Sequence, residues 1–139
     1  MARDSLTLAR LVPDSLTKAE VLAQLLWAIA NDDPAAAQPI YQESRAMRGA
    51  AGAHWHVAEV DVIWANVHGW HNPVQAQQLY QDSLDFYTAC GDRISASDCL
   101  GGLARLNDRA GNASEAARLW RERLTIAQER NDQWTELGM

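Results

Sequence analysis

Residues 72–92, NPVQAQQLYQDSLDFYTACGD, and residues 112–132, NASEAARLWRERLTIAQERND, superimpose at an offset of 40. Asn72 falls on Asn112, Ala76 on Ala116, Leu79 on Leu119, Tyr80 on Trp120, Leu84 on Leu124 and Asp92 on Asp132. An earlier copy, DPAAAQPIYQESRAMRGAAG (33–52), aligns with the middle one at an offset of 39. It sets Pro34 on Pro73, Ala37 on Ala76, Ile40-Tyr41-Gln42 on Leu79-Tyr80-Gln81 and Gly52 on Gly91. A "WA" or "LA" pair precedes each copy, at 27–28, 64–65 and 103–104. Two helical segments per unit at this period are the mark of an α-solenoid. A small Ala lets the two helices of a pair approach closely, and the aromatic four residues later fills the space between pairs. Each pair leaves a face uncovered until the next pair stacks on it.

Local signals agree. Asp33-Pro34 and Asn72-Pro73 each join a capping residue to a proline at the first helical position. Asp92 or Ser95 opens the helix that closes at Gly111, and Asn112 to Glu115 has capping-box spacing. Val57, Val60, Ile63, Trp64 and Val67 recur at helical period. Leu119, Trp120, Leu124 and Ile126 are expected inward, as are Trp27 and Trp64. Pro39 is expected to bend its helix or remove a hydrogen bond. The predicted fold is all-α: about three helix pairs (15–52, 53–92 and 93–132) in a right-handed superhelix forming a single domain over 1–139. Residues 1–14 read as an extension, and 133–139 as a truncated or capping helix.

The resemblance lies in LYQDSLDFYTACGDRISASDCLGGLARLNDRAGNASEAARLW (79–120). It resembles tetratricopeptide repeats with units of about 40 residues. In particular, it is similar to the repeat region of large bacterial transcriptional regulators, the LuxR-type, maltose-activator-like family with an ATPase module. The matching residues are Leu79 to Leu84, Gly91-Asp92, Cys99-Leu100 with Leu103-Ala104, Gly111, and Ala116-Ala117-Arg118-Leu119-Trp120. The resemblance implies a regulatory, non-enzymatic interaction or ligand-sensing module. The sequence contains neither that family's P-loop nor its DNA-binding helix-turn-helix, so a sensor or interaction role is what carries over.

Charge narrows the partners. The net charge is −6, and no Lys or Arg occurs from Gly49 to Asp92, which argues against a nucleic-acid or anionic-membrane surface. No apolar run is long enough to span a bilayer, and the first residues lack a signal-peptide core. The cytoplasm is the expected location. Cys90 and Cys99 suit neither a disulfide framework nor a zinc site, and both are expected to be buried thiols.

In such repeats the first helix of each pair lines the inner groove. The "WA/LA" phase places Glu59, Val62 and Asn66 there in the second unit, and Asp98, Gly101, Arg105 and Asp108 in the third. This mixed lining suits a peptide backbone, a chain terminus or a small polar effector, although a plain solvated face reads the same way. Trp70, His71 and Trp134 lie outside the repeat core and are candidate surface contacts. HGWHN (68–72) reads as the corner between two helices, equivalent to the Gly-Asn corner at 111–112. Four histidines, His54, His56, His68 and His71, raise the alternative of a small enzyme that uses a groove histidine. They lack the convergence a metal site needs, so neither metal nor cofactor is expected. A purely structural homodimer is the third reading. Gly101-Gly102 inside a helix either permits close packing or opens room for a ligand, and packing is favoured.

Overall fold

The structure is a computed structural model that describes residues 15–136, with side chains described for residues 16–132. The expected extension (1–14), the Trp134 side chain and residues 137–139 lie outside the described residues. The described residues are all-helical, with six helices and no strand: α1 (Ser15–Ile29), α2 (Pro34–Ala50), α3 (His54–His68), α4 (Pro73–Cys90), α5 (Arg93–Arg109) and α6 (Ala113–Glu136). They divide into two compact units between Leu79 and Tyr80, within α4.

In the first unit α1 packs on α2, and α3 packs on both. The core is built from Leu22, Ala23, Leu25, Leu26 and Ile29 of α1, Ala37, Ile40 and Tyr41 of α2, and Val60 and Trp64 of α3. In the second unit α5 packs on α6, around Ala96, Cys99, Leu100, Leu103, Leu119 and Ile126. The repeat alanines behave alike: Ala37, Ala76 and Ala116 are all buried.

The caps explain the helix borders. Asp33 Oδ1 accepts from the Ala36 N–H (3.1 Å), Asn72 Oδ1 from Gln75 (3.1 Å) and Asp92 Oδ1 from Ser95 (3.1 Å). Three borders close through a glycine at positive φ, Gly52, Gly91 and Gly111. At each, the next residue's N–H reaches back five residues, from Ala53 to Arg48, Asp92 to Tyr87 and Asn112 to Asn107, the Schellman closure. The repeat puts Asn131 where the earlier copies have Gly52 and Gly91. Without that glycine α6 runs on to Glu136, so the expected break at Asp132 is not there.

Several burial expectations are corrected. Trp27 is 52% exposed, Trp120 37% and Leu124 57%. In α3 the covered face is Ala58, Val60, Asp61, Trp64 and Ala65, with Val57, Ile63 and Val67 only half-buried. α2 continues through Pro39 to Ala50 with the ring exposed, so the proline does not end the helix, and its expected cost is the one backbone hydrogen bond that its nitrogen cannot donate. Cys90, at the very end of α4, is exposed, whereas Cys99 is fully buried. Burial and the nearby Asp98 and Asp92 push the Cys99 thiol up to about 12, so it stays protonated and inert.

The two adjacent glycines of α5 act differently. A Cβ at Gly102 would overlap the Tyr80 ring, with Cδ1 at 2.8 Å. A Cβ at Gly101 would meet the tips of two flexible side chains, Arg123 and Arg105. Gly102→Ala is therefore expected to destabilise by about 1–3 kcal/mol, because a buried ring must shift. Gly101→Ala is expected to stabilise by up to about 1 kcal/mol through helix propensity. Urea midpoints of the two variants should move in opposite directions, and a shift of the same sign would refute this steric account.

Candidate functional site

In α2, Tyr41, Ser44, Arg45 and Arg48 follow one another at spacings that put them on one side of the helix. Ser44 Oγ donates to the Ala19 carbonyl (2.8 Å), tying α2 to α1. The other three turn to α3. Tyr41 Oη donates to Asp61 Oδ1 (2.6 Å), and Arg45 Nε donates to the same oxygen (2.9 Å). Arg48 Nη1 donates to the His56 carbonyl (2.7 Å) and to Glu59 Oε1 (2.8 Å). Burial, then the Asp61 hydrogen bond and charge, push the Tyr41 hydroxyl well above the usual phenol range. It remains a donor at any physiological pH. Arg48 is buried, and its Nε has no hydrogen-bond partner. Two acids of the Lys- and Arg-free stretch, Glu59 and Asp61, are thus paired with arginines of α2.

An aromatic column stands beside this seam. Tyr41 stacks on Trp64 (4.9 Å between centroids, 5° between planes), Trp64 on His68 (4.3 Å, 13°), and His68 lies 5.3 Å from His71. Trp64 Nε1 donates to Gln75 Oε1 (3.3 Å). HGWHN is indeed a helix–helix corner, with Asn72 as the cap of α4. It is not built like 111–112, however. No residue in it has positive φ, and the Asn72 N–H reaches back four residues to His68 rather than five. Gly69 is kept by space: a Cβ there would lie 3.2 Å from that of Ala76 and inside contact distance of the Ala65 carbonyl.

Burial, and secondarily the charge of His71, lower the His68 pKa below its ordinary value of 6.5. On acidification the unfolded chain takes up this proton first. The contribution of His68 to stability is therefore complete above about pH 6.5 and falls away as pH drops through the folded-state value. His68→Phe keeps the stack and removes the titration. The loss of stability between about pH 7 and about pH 5 should be smaller in His68→Phe than in the parent, as read from urea midpoints. Equal slopes would refute the assignment.

The predicted inner-face residues are placed as follows. Glu59 is half-buried and engaged by Arg48, with His56 Nδ1 3.7 Å away. Val62 is half-buried and Asn66 exposed. In the second unit Asp98, Arg105 and Asp108 are exposed along α5. Arg123 Nη2 lies 3.7 Å from Asp98, Trp120 Nε1 donates to Asp108 Oδ2 (3.3 Å), and Arg123 sits over the Trp120 ring at 5.8 Å. The α5 acids thus face α6 side chains. Trp70 is 68% exposed and His71 is exposed.

Of these residues Glu59 lines a hollow. A recess of about 230 Å³ at the polar end of the first unit is lined by Leu16, Thr17, Glu20, Arg48, His56 and Glu59. A larger groove of about 690 Å³ lies in the second unit. Leu84, Ala89, Ala96, Leu100 and Ile126 give it an apolar floor, and Asp85, Thr88, Asp92, Arg93, Glu122 and Thr125 a polar rim. The ion pair of Arg93 with Glu129 stands at one end. Inner-face logic missed this groove, because its lining comes from three helices. The half-buried Leu84, aligned with Leu124, was the available signal.

Among the described residues no three His, Cys, Asp or Glu side chains converge on a point that could hold a metal ion. No described helix is long and apolar enough to cross a membrane. Chemically, the groove can take an apolar anchor and satisfy a few polar groups around it. No protein-family model matches the chain, and no curated protein matches it closely enough to count as a relative.

Proposed function

We propose that the chain is a TPR-like interaction module, its helix pairs arranged as a short right-handed solenoid, and that it binds a protein segment without catalysing a reaction. The observation that carries this reading is the α4–α5–α6 groove, an apolar floor with a polar rim. That combination suits an amphipathic helix or an extended segment presenting one or two apolar side chains. The histidines add no rival chemistry of comparable definition. His68 is spent in the aromatic column, and Glu59, beside His56, is already held by Arg48. A regulatory role in a bacterial cytoplasm follows from the resemblance alone and is the wider setting of the same proposal.

Selection of displayed peptides against the whole chain tests this. Ala89 and Thr125 are exposed groove residues, so Ala89→Arg and Thr125→Arg fill the groove without touching the core. Selected peptides should carry spaced apolar residues and bind each variant at least about tenfold more weakly, as expected when an anchor loses its pocket. Arg105→Glu, on the polar face of α5, should bind as the parent does. Peptides that bind the filled variants equally well would refute the groove, and loss in Arg105→Glu alone would move the site to the α5 face.

A further inference from the structure

The repeat gives each surface position two internal counterparts, and burial can be compared across them. In α2 the positions Tyr41, Ser44 and Arg48 are buried, and in α4 so are their equivalents Tyr80, Ser83 and Tyr87. In both copies the aromatic is received by the helix that follows: Tyr41 stacks on Trp64 of α3, and Tyr80 lies against Gly102 of α5. The same positions in α6 are Trp120, Arg123 and Ala127. Trp120 and Ala127 are exposed, Arg123 is half-buried, and the neighbouring Leu124 is 57% exposed.

The first helix shows the reverse. Ala58, Asp61, Trp64 and Ala65 of α3 are buried. Aligned on the "WA" pair, their α1 counterparts are Val21, Gln24, Trp27 and Ala28, all exposed, with Trp27 at 52%. Successive residues turn 100° around a helix, so each set forms one stripe. The α6 stripe lies on the opposite side of that helix from Glu122, Thr125 and Ile126, which line the groove.

α6 thus presents the aromatic that a following helix covers, and α1 presents the helix face that a preceding aromatic covers. We infer that these faces bind each other between copies: the Trp120–Leu124–Ala127 face of α6 in one molecule receives the Val21–Trp27–Ala28 face of α1 in the next, repeating the α2–α3 packing. The occupant is a second copy of this chain, because its own α1 carries the counterpart of Trp64 at the required register. Such a contact is heterologous, so each bound copy leaves one α6 face and one α1 face open for further growth. The inference uses neither the peptide groove nor its ligand, so either can fail alone.

Sedimentation of the full chain across a wide concentration range tests this, with Trp27→Glu damaging only the α1 face and Ala127→Glu only the α6 face. The parent should show an average mass that rises with concentration. Each variant alone should stay at the mass of one chain. Their mixture should reach the mass of two chains and stop, because it holds one intact pair of faces and two damaged ends. Far-UV circular dichroism checks that the variants fold, and Ala28→Glu with Leu124→Glu is the second pair should either of the first be misfolded. A parent that stays a single chain throughout overturns the inference. So does a Trp27→Glu variant that still dimerises, which would mean that two α6 faces meet, and so does a mixture that fails to pair.

Discussion

Trp64→Ala is expected to destabilise the protein by about 3–5 kcal/mol, the range for deleting a fully buried large aromatic. The indole is 1% exposed and is sandwiched between Tyr41 and His68. Its removal opens a cavity at the junction of α2, α3 and the corner leading into α4, and both flanking rings lose their stacking partner. It also strands the Gln75 side chain, but Gln75 is half-buried and can turn to water, so that loss is the smaller one. Trp64→Phe separates the two contributions. It keeps a ring in the column and gives up only the indole N–H and some volume, so it should retain most of the stability. Chemical denaturation of the two variants measures this. A Trp64→Ala cost below about 1 kcal/mol would place the column outside the core, since surface truncations fall in that range.

Asp61→Ala is expected to cost about 2–3 kcal/mol, because the buried Tyr41 hydroxyl loses a charged acceptor and water does not replace it. Arg45 contributes less to the loss, being half exposed and able to hydrate. The asymmetry can be read from a double-mutant cycle. Tyr41→Phe in the Asp61→Ala background removes the stranded hydroxyl, so the pair should cost less than the sum of the single changes. Additive costs would mean that the 2.6 Å contact carries no coupling. Arg48 and Glu59 should follow the same logic. Removing Glu59 leaves a buried guanidinium short of its partner, whereas Arg48→Met removes the charge and its orphaned Nε together. The second change is expected to be the milder of the two.

The histidine-rich corner shows how a site-like sequence can resolve into packing. His68 and His71 lie three apart, as ligands on one helix face would, yet His68 lies flat on Trp64. The corner lacks the positive-φ glycine found where α2, α4 and α5 close, and the column of rings occupies the place where the chain turns. Trp70 and His71, as the sequence suggests, are left at the surface.

The sequence by itself determined the helices, their borders and their kinship. Caps, prolines and corner glycines act over a few residues, and the repeated alanines mark close approach wherever they occur. Asn131 in place of a glycine even contained the continuation of α6, although only comparison with Gly52 and Gly91 makes it readable. What the tertiary structure decided were the matters that need a neighbour. Tyr41, Tyr80 and Trp120 share one register, as do Trp27 and Trp64, but a side chain is buried only where another helix stands over it. Trp27 and Trp120 therefore came out exposed at positions where Trp64 and Tyr80 are buried. Arg48 and Asp61 went the other way, because each met a partner 11 or more residues distant that offset the cost of leaving water. The floor of the groove, drawn from α4, α5 and α6, exists only once those three helices are in place.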